Sequence, residues 1–178
     1  LPPASGVDQV EACAWSRPAS DVGRSGFDHW PLPDGRLALF LGDASDHAEA
    51  GPRVLSEVRA QLRELTERRT DPDWLLAQVN RRLHAGLPSG RFVTAFVGCL
   101  GSDGQLHWCS AGQGPVYVSR RAREDYDALP ASAPPLGVEP DLRPQAVSLR
   151  LGPGGRVAVL SDGILDAHNG AGQFLGPQ

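Results

Sequence analysis

The sequence predicts an α+β fold in which two packed antiparallel β-sheets form a β-sandwich flanked by helices. Three observations lead to this prediction. The 178 residues are 40% hydrophobic, which suits one folded domain over residues 1–178. The formal net charge of −4 gives no sign of the basic surface that nucleic-acid binding requires. Short apolar segments joined by turn residues are typical of antiparallel strands rather than of βαβ units. Helical periodicity occurs mainly in the middle of the chain, so we expect a helical pair on an outer face.

The strands predicted first along the chain precede the helical pair. Residues 7–15 alternate loosely and indicate a strand, and a loop rich in glycine and proline leads to the turn at Asp34-Gly35. Residues 37–41 are apolar on both faces of the pleat, which predicts a strand buried on both sides. This strand runs directly into Gly42-Asp43.

The period changes after this strand. Apolar residues fall on one helical stripe over residues 51–69, with arginine and glutamate on the other face. The run Asp71-Pro72-Asp73 then has the chemistry of a helix start, with Asp71 as the N-cap and proline in the first turn. The apolar stripe continues to Leu83, and residues 86–90 end the helix. These features predict two helices joined by a short connection.

The rest of the chain is predicted to consist of strands and turns. The predicted strands cover residues 92–100, 106–110, 116–118, 146–151 and 157–160. The dipeptide Asp103-Gly104 is a strong hairpin signal between the first two. Residues 152–155 read as the turn of a last hairpin. The final strand runs straight into Ser161-Asp162-Gly163.

Two aspartates share one context, because Asp43 and Asp162 both follow a hydrophobic strand. Each could simply cap a following turn or helix. Together they could instead hold a hard cation such as Mg²⁺ or Mn²⁺, which prefers oxygen ligands. The sequence lacks a Walker-type phosphate loop and a G-x-S-x-G nucleophile elbow, and its three cysteines have no zinc-site spacing. Spacing alone does not choose between the capping and the metal-binding interpretations.

Five motifs in a fixed order favour the metal-binding interpretation. The segments lie at residues 37–47, 92–98, 110–115, 135–138 and 160–169. Their sequences are similar to patterns such as R-L-A-L-V-I-G-D-V-S-G-H-G, F-V-T-A-F-Y-G, N-A-G-H-N-P, P-L-G-L and Y-T-D-G-V-T-E-A-R-N. With these motifs the chain resembles the PPM (type 2C) metal-dependent protein phosphatases, in the bacterial branch typified by stage II sporulation protein E and RsbU. The resemblance runs over residues 1–176 and implies a two-sheet sandwich flanked by helices.

The resemblance also implies a mechanism, a cofactor and a partner. Two Mn²⁺ or Mg²⁺ ions would lower the pKa of a bound water so that hydroxide attacks phosphorus. By their motif positions, Asp43 would bridge the ions, the carbonyl of Ala44 would be a further ligand, and Asp162 would bind the second ion. Asp43 and Asp162 are thus the implied catalytic residues. The implied substrate is a phosphoserine or phosphothreonine regulatory protein of the anti-anti-sigma type, dephosphorylated in the bacterial cytoplasm by a domain fused to an upstream sensor.

The chain departs from the family pattern at several positions. Ser25 stands where a metal-binding aspartate is expected, and only a shift of the loop would bring Asp28 into that role. Asp46 and Ala48 replace glycines, and Gln113 replaces the histidine of N-A-G-H. The family's later segment, whose final D-D-x-T strand supplies another ligand, is expected to be missing. A catalytically degenerate pseudophosphatase that serves as a binding or signalling module is therefore an alternative, and a generic antiparallel domain with capping aspartates is a third.

Overall fold

The computed structural model describes residues 5–7, 10–16, 25–45, 50–121, 125–165 and 167–170. The strands in this part of the chain are β1 (Ser5–Val7), β2 (Val10–Ala12), β3 (Ser25–Pro31), β4 (Leu37–Ala44), β5 (Val93–Leu100), β6 (Gln105–Ala111), β7 (Val116–Ser119), β8 (Asp127–Leu129), β9 (Val147–Arg150) and β10 (Arg156–Val159). The helices are α1 (Ala50–Thr66), α2 (Pro72–Gly86) and α3 (Asp162–Leu165). Among the described residues, no helix combines the length and the apolar character that crossing a membrane requires.

The larger sheet has the strand order β3-β4-β5-β6-β9, and every neighbouring pair is antiparallel. Its central strand β5 is buried along its whole length, as the apolar run predicts. The hairpin at Asp103-Gly104 is confirmed: Gly104 has a φ of +78°, and the Gly101 N–H donates to the Gln105 carbonyl at 2.9 Å. The predicted strand at residues 37–41 is also confirmed and continues to Ala44 as β4.

The smaller sheet, of order β10-β7-β8, packs on one face of the larger sheet. The core between the sheets includes Phe96 and Trp108 from the larger sheet and Val116 and Val118 from the smaller one. The rings of Phe96 and Trp108 stack with their centroids 5.7 Å apart. This packing confirms the two-sheet prediction.

Helices α1 and α2 cover the other face of the larger sheet, which confirms their predicted outer position. The stripe that includes Leu55, Val58 and Leu62 lies in one core with Ala38 and Phe40 of β4. Helix α2 begins at Pro72 with Asp71 at the N-cap position, as predicted. The side chain of Asp71 makes no capping hydrogen bond; its carboxylate accepts a hydrogen bond from the Arg69 guanidinium at 2.6 Å.

The sequence prediction missed strand β3, which it treated as loop. Gly26 and Pro31 in this segment obscure the strand pattern. The structure nevertheless pairs β3 with β4 along its whole length, from Ser25 opposite Asp43 to Pro31 opposite Leu37. Proline is tolerated there because it ends an edge strand, where a missing N–H interrupts no interior ladder.

The predicted hairpin between residues 146–151 and 157–160 is wrong. Strand β9 pairs with β6 in the larger sheet, whereas β10 pairs with β7 in the smaller one. Residues 152–155 therefore cross between the two sheets. Leu149 and Val157 both contribute to the core between the sheets, and alternating apolar residues specify a buried face without specifying the partner strand.

Candidate active site

Asp43 lies in a row of three paired residues at the end of β4. Ser25 of β3 is opposite it on one side and Thr94 of β5 on the other. Because side chains alternate along a strand, Asp43 shares a face with Leu39 and Leu41, which pack towards the smaller sheet. Asp43 is half-buried and its Oδ2 atom is inaccessible to solvent. The carboxylate therefore lies at the edge of the space between the two sheets.

The chain just after Asp43 is fixed to the segment that enters β5. Ala44 ends β4 opposite Val93, and its side chain is buried on the helix-covered face. The Ser45 N–H donates to the Phe92 carbonyl, and the Phe92 N–H donates to the Ser45 hydroxyl, both at 3.0 Å. This reciprocal pair limits how far the chain can move after Asp43.

The segments that carry the five motifs meet at this end of the sandwich. Val93 and Leu136 exchange backbone hydrogen bonds of 3.0 and 2.8 Å, which joins the second and fourth motifs. The third motif joins them through Gly112, whose N–H donates to the Ala133 carbonyl at 2.7 Å. Gly112 has a φ of +68°, and a Cβ at this position would lie 2.6 Å from the Pro135 ring, so a side chain is excluded.

Gln113 connects the row containing Asp43 to the segment containing Asp162. Its side chain is fully buried. The Thr94 hydroxyl donates to Gln113 Oε1 at 2.8 Å, and Gln113 Nε2 donates to the Leu160 carbonyl at 2.9 Å. Asp162 follows two residues after Leu160 and opens the short helix α3, where it is exposed. The link between Asp43 and Asp162 is thus indirect, through residues of both sheets.

Sequence reasoning missed Thr94 and identified Gln113 only as a departure from the family pattern. Thr94 is a polar residue inside an otherwise apolar strand, and this was the signal that could have identified it. A buried hydroxyl requires a hydrogen-bond partner, so such a residue indicates a specific contact. Its partner comes from the loop between β6 and β7, which no local pattern specifies. Asp46 and Ala48, which replace glycines of the family pattern, lie outside the described residues.

Asp28 lies on the other face of β3, on the side of helix α1. The Arg63 guanidinium donates two hydrogen bonds of 2.9 Å to its carboxylate, and Arg59 approaches to 3.5 Å. Burial raises the pKa of Asp28, but the hydrogen bonds and charge of Arg63, together with the His29 N–H and the charge of Arg59, outweigh it, so the pKa lies below its ordinary value. The Asp28 carboxylate is thus bound by Arg63 on the face of the sheet opposite Asp43.

Comparison with known proteins identifies the family. The family model of stage II sporulation protein E (SpoIIE) matches residues 33–178, which include all five motif segments. This chain belongs to the SpoIIE family. The SpoIIE-family chain is also 24% identical over 200 residues to the protein IcfG of Synechocystis sp., a match that covers 97% of this chain and 31% of IcfG.

Solved structures place the SpoIIE-family chain among PPM-type serine/threonine phosphatase folds. The RsbU and RsbW domains of Rv1364c from Mycobacterium tuberculosis are 27% identical, with a TM-score of 0.69 over 83% of this chain and 41% of that chain. The SiaA-PP2C domain of Pseudomonas aeruginosa, at 19% identity, has a TM-score of 0.76 over 90% and 64% of the two chains. The phosphatase domain of SpoIIE from Bacillus subtilis, also 19% identical, has a TM-score of 0.71 over 83% and 43%.

The donor types of the SpoIIE-family site suit a hard divalent cation, because carboxylate and carbonyl oxygens are the ligands that Mg²⁺ and Mn²⁺ prefer. The donor number is small. Within the described ranges, no three His, Cys, Asp or Glu side chains lie close enough together to hold a metal ion. Ser25 occupies the position opposite Asp43 and contributes a hydroxyl instead of a carboxylate. The described residues therefore offer some oxygen donors of the type a divalent ion prefers, and they do not by themselves complete a centre of two ions.

Proposed function

We propose that residues 1–178 act as one domain of a metal-dependent protein phosphatase that hydrolyses phosphoserine or phosphothreonine on a regulatory protein. One observation carries this proposal. Ser25, Asp43 and Thr94 lie side by side on neighbouring strands, at the end of the sandwich where the motif segments meet. Gln113 makes hydrogen bonds both to Thr94 in this row and to the segment that precedes Asp162. Thr94, which pairs with Asp43, and Leu160, which lies two residues before Asp162, are thereby connected through the Gln113 amide.

In the proposed site, Asp43, the carbonyl of Ala44 and Asp162 would hold Mn²⁺ or Mg²⁺. A bound divalent ion lowers the pKa of its water ligand and offsets charge on phosphoryl oxygens. The fold holds the backbone of Asp43 in place, because Asp43 belongs to a strand that is paired on both sides. Asp162 is exposed, which leaves its carboxylate accessible from the side where a phosphoprotein would approach.

We propose a small phosphoprotein of the anti-anti-sigma type as substrate, on the strength of the motif resemblance. We also propose that a sensor or regulatory domain is fused upstream. Two similar structures support this arrangement: one contains RsbU and RsbW domains, and another contains a phosphatase domain with a fragment of a regulatory domain. A cytoplasmic location agrees with free cysteines at Cys13, Cys99 and Cys109 in the described part of the chain.

The direct test is phosphate release from a phosphoserine protein with and without Mn²⁺. We expect Mn²⁺-dependent release by the wild-type chain. We expect Asp43→Asn to lower the rate by about 100-fold, because it removes a charged ligand of the ion. Asp28→Asn is the matched control, since its carboxylate is bound by Arg63 on the other face, and it should retain the wild-type rate. Activity that Asp43→Asn leaves unchanged would contradict the proposal.

A specific observation favours a second candidate, the pseudophosphatase that binds a partner without turnover. Ser25, and not a carboxylate, lies opposite Asp43. If the missing acid limits metal binding, Ser25→Asp should tighten Mn²⁺ binding by about tenfold, since affinity rises with the number of charged ligands. Calorimetric titration with Mn²⁺ measures this effect. Turnover by Ser25→Asp but not by the wild-type chain would establish the degenerate site, whereas unchanged affinity would argue against a metal-binding role for this row.

A further inference from the structure

We propose that Gln113 is a positioning residue that holds the segment before Asp162 against the row containing Asp43, an inference that rests on the proposed function. The two aspartates emerge from different sheets, so their separation depends on how the sheets meet at this end. Gln113 lies in the connection between β6 of the larger sheet and β7 of the smaller one. Its side chain makes hydrogen bonds to β5 of the larger sheet and to the residue that follows β10 of the smaller one.

The amide is oriented by its partners. The Leu160 carbonyl can only accept a hydrogen bond, so Gln113 must direct its NH₂ group towards Leu160 and its oxygen towards Thr94. The Thr94 hydroxyl then donates to that oxygen, and it also lies 3.5 Å from the Asp43 carbonyl. Because Gln113 is fully buried, removing its amide would leave a carbonyl and a hydroxyl without their partner. Both hydrogen bonds therefore favour one relative position of the two segments.

The backbone of Gln113 is held as firmly as its side chain. The Ser110 hydroxyl donates to the Gln113 carbonyl, and the preceding Gly112 packs against Pro135. These contacts place the amide at a fixed point between the sheets. Movement of Leu160 away from β5 would therefore break a partly buried hydrogen bond and leave the fully buried Gln113 amide without that partner, which is costly.

This role accounts for a departure from the family pattern. A neutral histidine presents one N–H donor and one nitrogen acceptor, and the glutamine amide presents the same pair of functions. Glutamine at residue 113 thus offers the same kinds of donor and acceptor as the histidine expected in the motif N-A-G-H. Glutamine in place of the expected histidine is therefore compatible with a link between Thr94 and Leu160.

The test compares Gln113→Leu with Gln113→His by two measurements that do not require turnover. The first is Mn²⁺ affinity by calorimetry, where we expect Gln113→Leu to bind about tenfold more weakly, as when an outer-shell partner of a metal site is lost. The second is hydrogen exchange, without metal, at the amides of Ile164 and Leu165, which both donate to the Ser161 carbonyl. These amides should exchange faster in Gln113→Leu because the segment is released. Gln113→His should stay within about threefold of the wild-type affinity because it keeps a donor and an acceptor.

Asn80→Leu provides a matched control. Asn80 is also a fully buried amide, and it connects α2 to the loop of Gly137 and Glu139 through hydrogen bonds of 2.8 Å. Loss of the Asn80 amide should destabilise the fold without changing Mn²⁺ affinity.

If Gln113→Leu does not fold, Thr94→Val takes its place, because it removes only the hydroxyl that donates to Gln113. Thr94→Ser should then restore the wild-type behaviour.

The outcomes separate this inference from the proposed function. Wild-type affinity in Gln113→Leu, or unchanged exchange at Ile164 and Leu165, overturns the positioning role. Equal loss of affinity in Asn80→Leu also overturns it, because the effect would then be a general loss of stability. If the wild-type chain neither binds Mn²⁺ nor releases phosphate, the proposed function fails. Exchange at Ile164 and Leu165 then decides by itself whether Gln113 links the two segments.

Discussion

Among single residues, Asp43 of β4 and Asp28 of β3 have different surroundings because they lie on opposite faces of the sheet. Asp43 faces the space between the sheets, and Asp28 faces helix α1 and its arginines. The sequence identified both as candidate ligands, since spacing along the chain does not reveal that β3 is a strand. Once β3 is paired with β4, the alternation of side chains places the two carboxylates on opposite faces of the sheet, and only Asp43 lies on the face of the proposed site.

The ion pair of Asp28 predicts a pH-dependent contribution to stability. Its pKa is lowered in the folded chain, so the stabilisation is present above the ordinary pKa of aspartate and is lost as pH falls through the lowered value. We expect Asp28→Asn to reduce the free energy of unfolding by about 1–2 kcal/mol at pH 7, because Arg63 is half exposed and solvent weakens the pair. Urea unfolding at pH 7 and pH 3 measures this difference, which should shrink at the lower pH. A constant difference would exclude the ion pair as the cause.

At the scale of elements, β4 and β5 pack so closely that Gly42 cannot carry a side chain. A Cβ on Gly42 would lie 2.8 Å from the Thr94 carbonyl and 2.9 Å from the Phe40 ring. The Thr94 carbonyl is backbone and cannot move without separating the strands. The glycine beside Asp43 is therefore required by strand packing, independently of any metal.

This packing predicts that Gly42→Ala destabilises the fold by about 1–3 kcal/mol, the usual cost of overpacking. Gly86→Ala is the control: Gly86 ends α2, and a Cβ there has no neighbour within 4 Å. Alanine at residue 86 should be neutral or stabilise by up to about 1 kcal/mol, because it reduces the entropy of the unfolded chain. Urea unfolding of both variants tests the prediction, and equal stabilities would refute the close approach of β4 and β5.

At the scale of the whole molecule, the larger sheet separates two cores, one beneath the helices and one between the sheets. Cys99 and Cys109 both lie in the core beneath the helices, whereas Cys13 is exposed. Burial raises the pKa of both Cys99 and Cys109 to about 11. The thiolate is the reactive form of cysteine. These two thiols are therefore protected from reagents in solution, both because they are buried and because they stay protonated.

We therefore expect a thiol reagent at pH 8 to modify only Cys13 in the folded chain. In urea, all three thiols should react, because unfolding exposes Cys99 and Cys109 and restores their ordinary pKa. Mass spectrometry before and after unfolding counts the modified groups. The control variant Cys13→Ser should show no rapid reaction while folded. Rapid modification of Cys99 or Cys109 under native conditions would contradict the buried core.

Local signals in the amino-acid sequence were enough to predict most of the strands and helices and the order of the motifs, although they missed β3. Apolar runs specified β4 and β5, helical periodicity specified α1, and Asp71-Pro72 specified the start of α2, because these signals depend on neighbours within a few residues. The strand pairings beyond the hairpin at Asp103-Gly104 became known only from the tertiary structure. It placed Ser25 opposite Asp43, sent β9 and β10 to different sheets, and joined Thr94 to Leu160 through Gln113. Such contacts unite residues far apart in the chain, and a periodic pattern specifies a buried face but leaves its partner open.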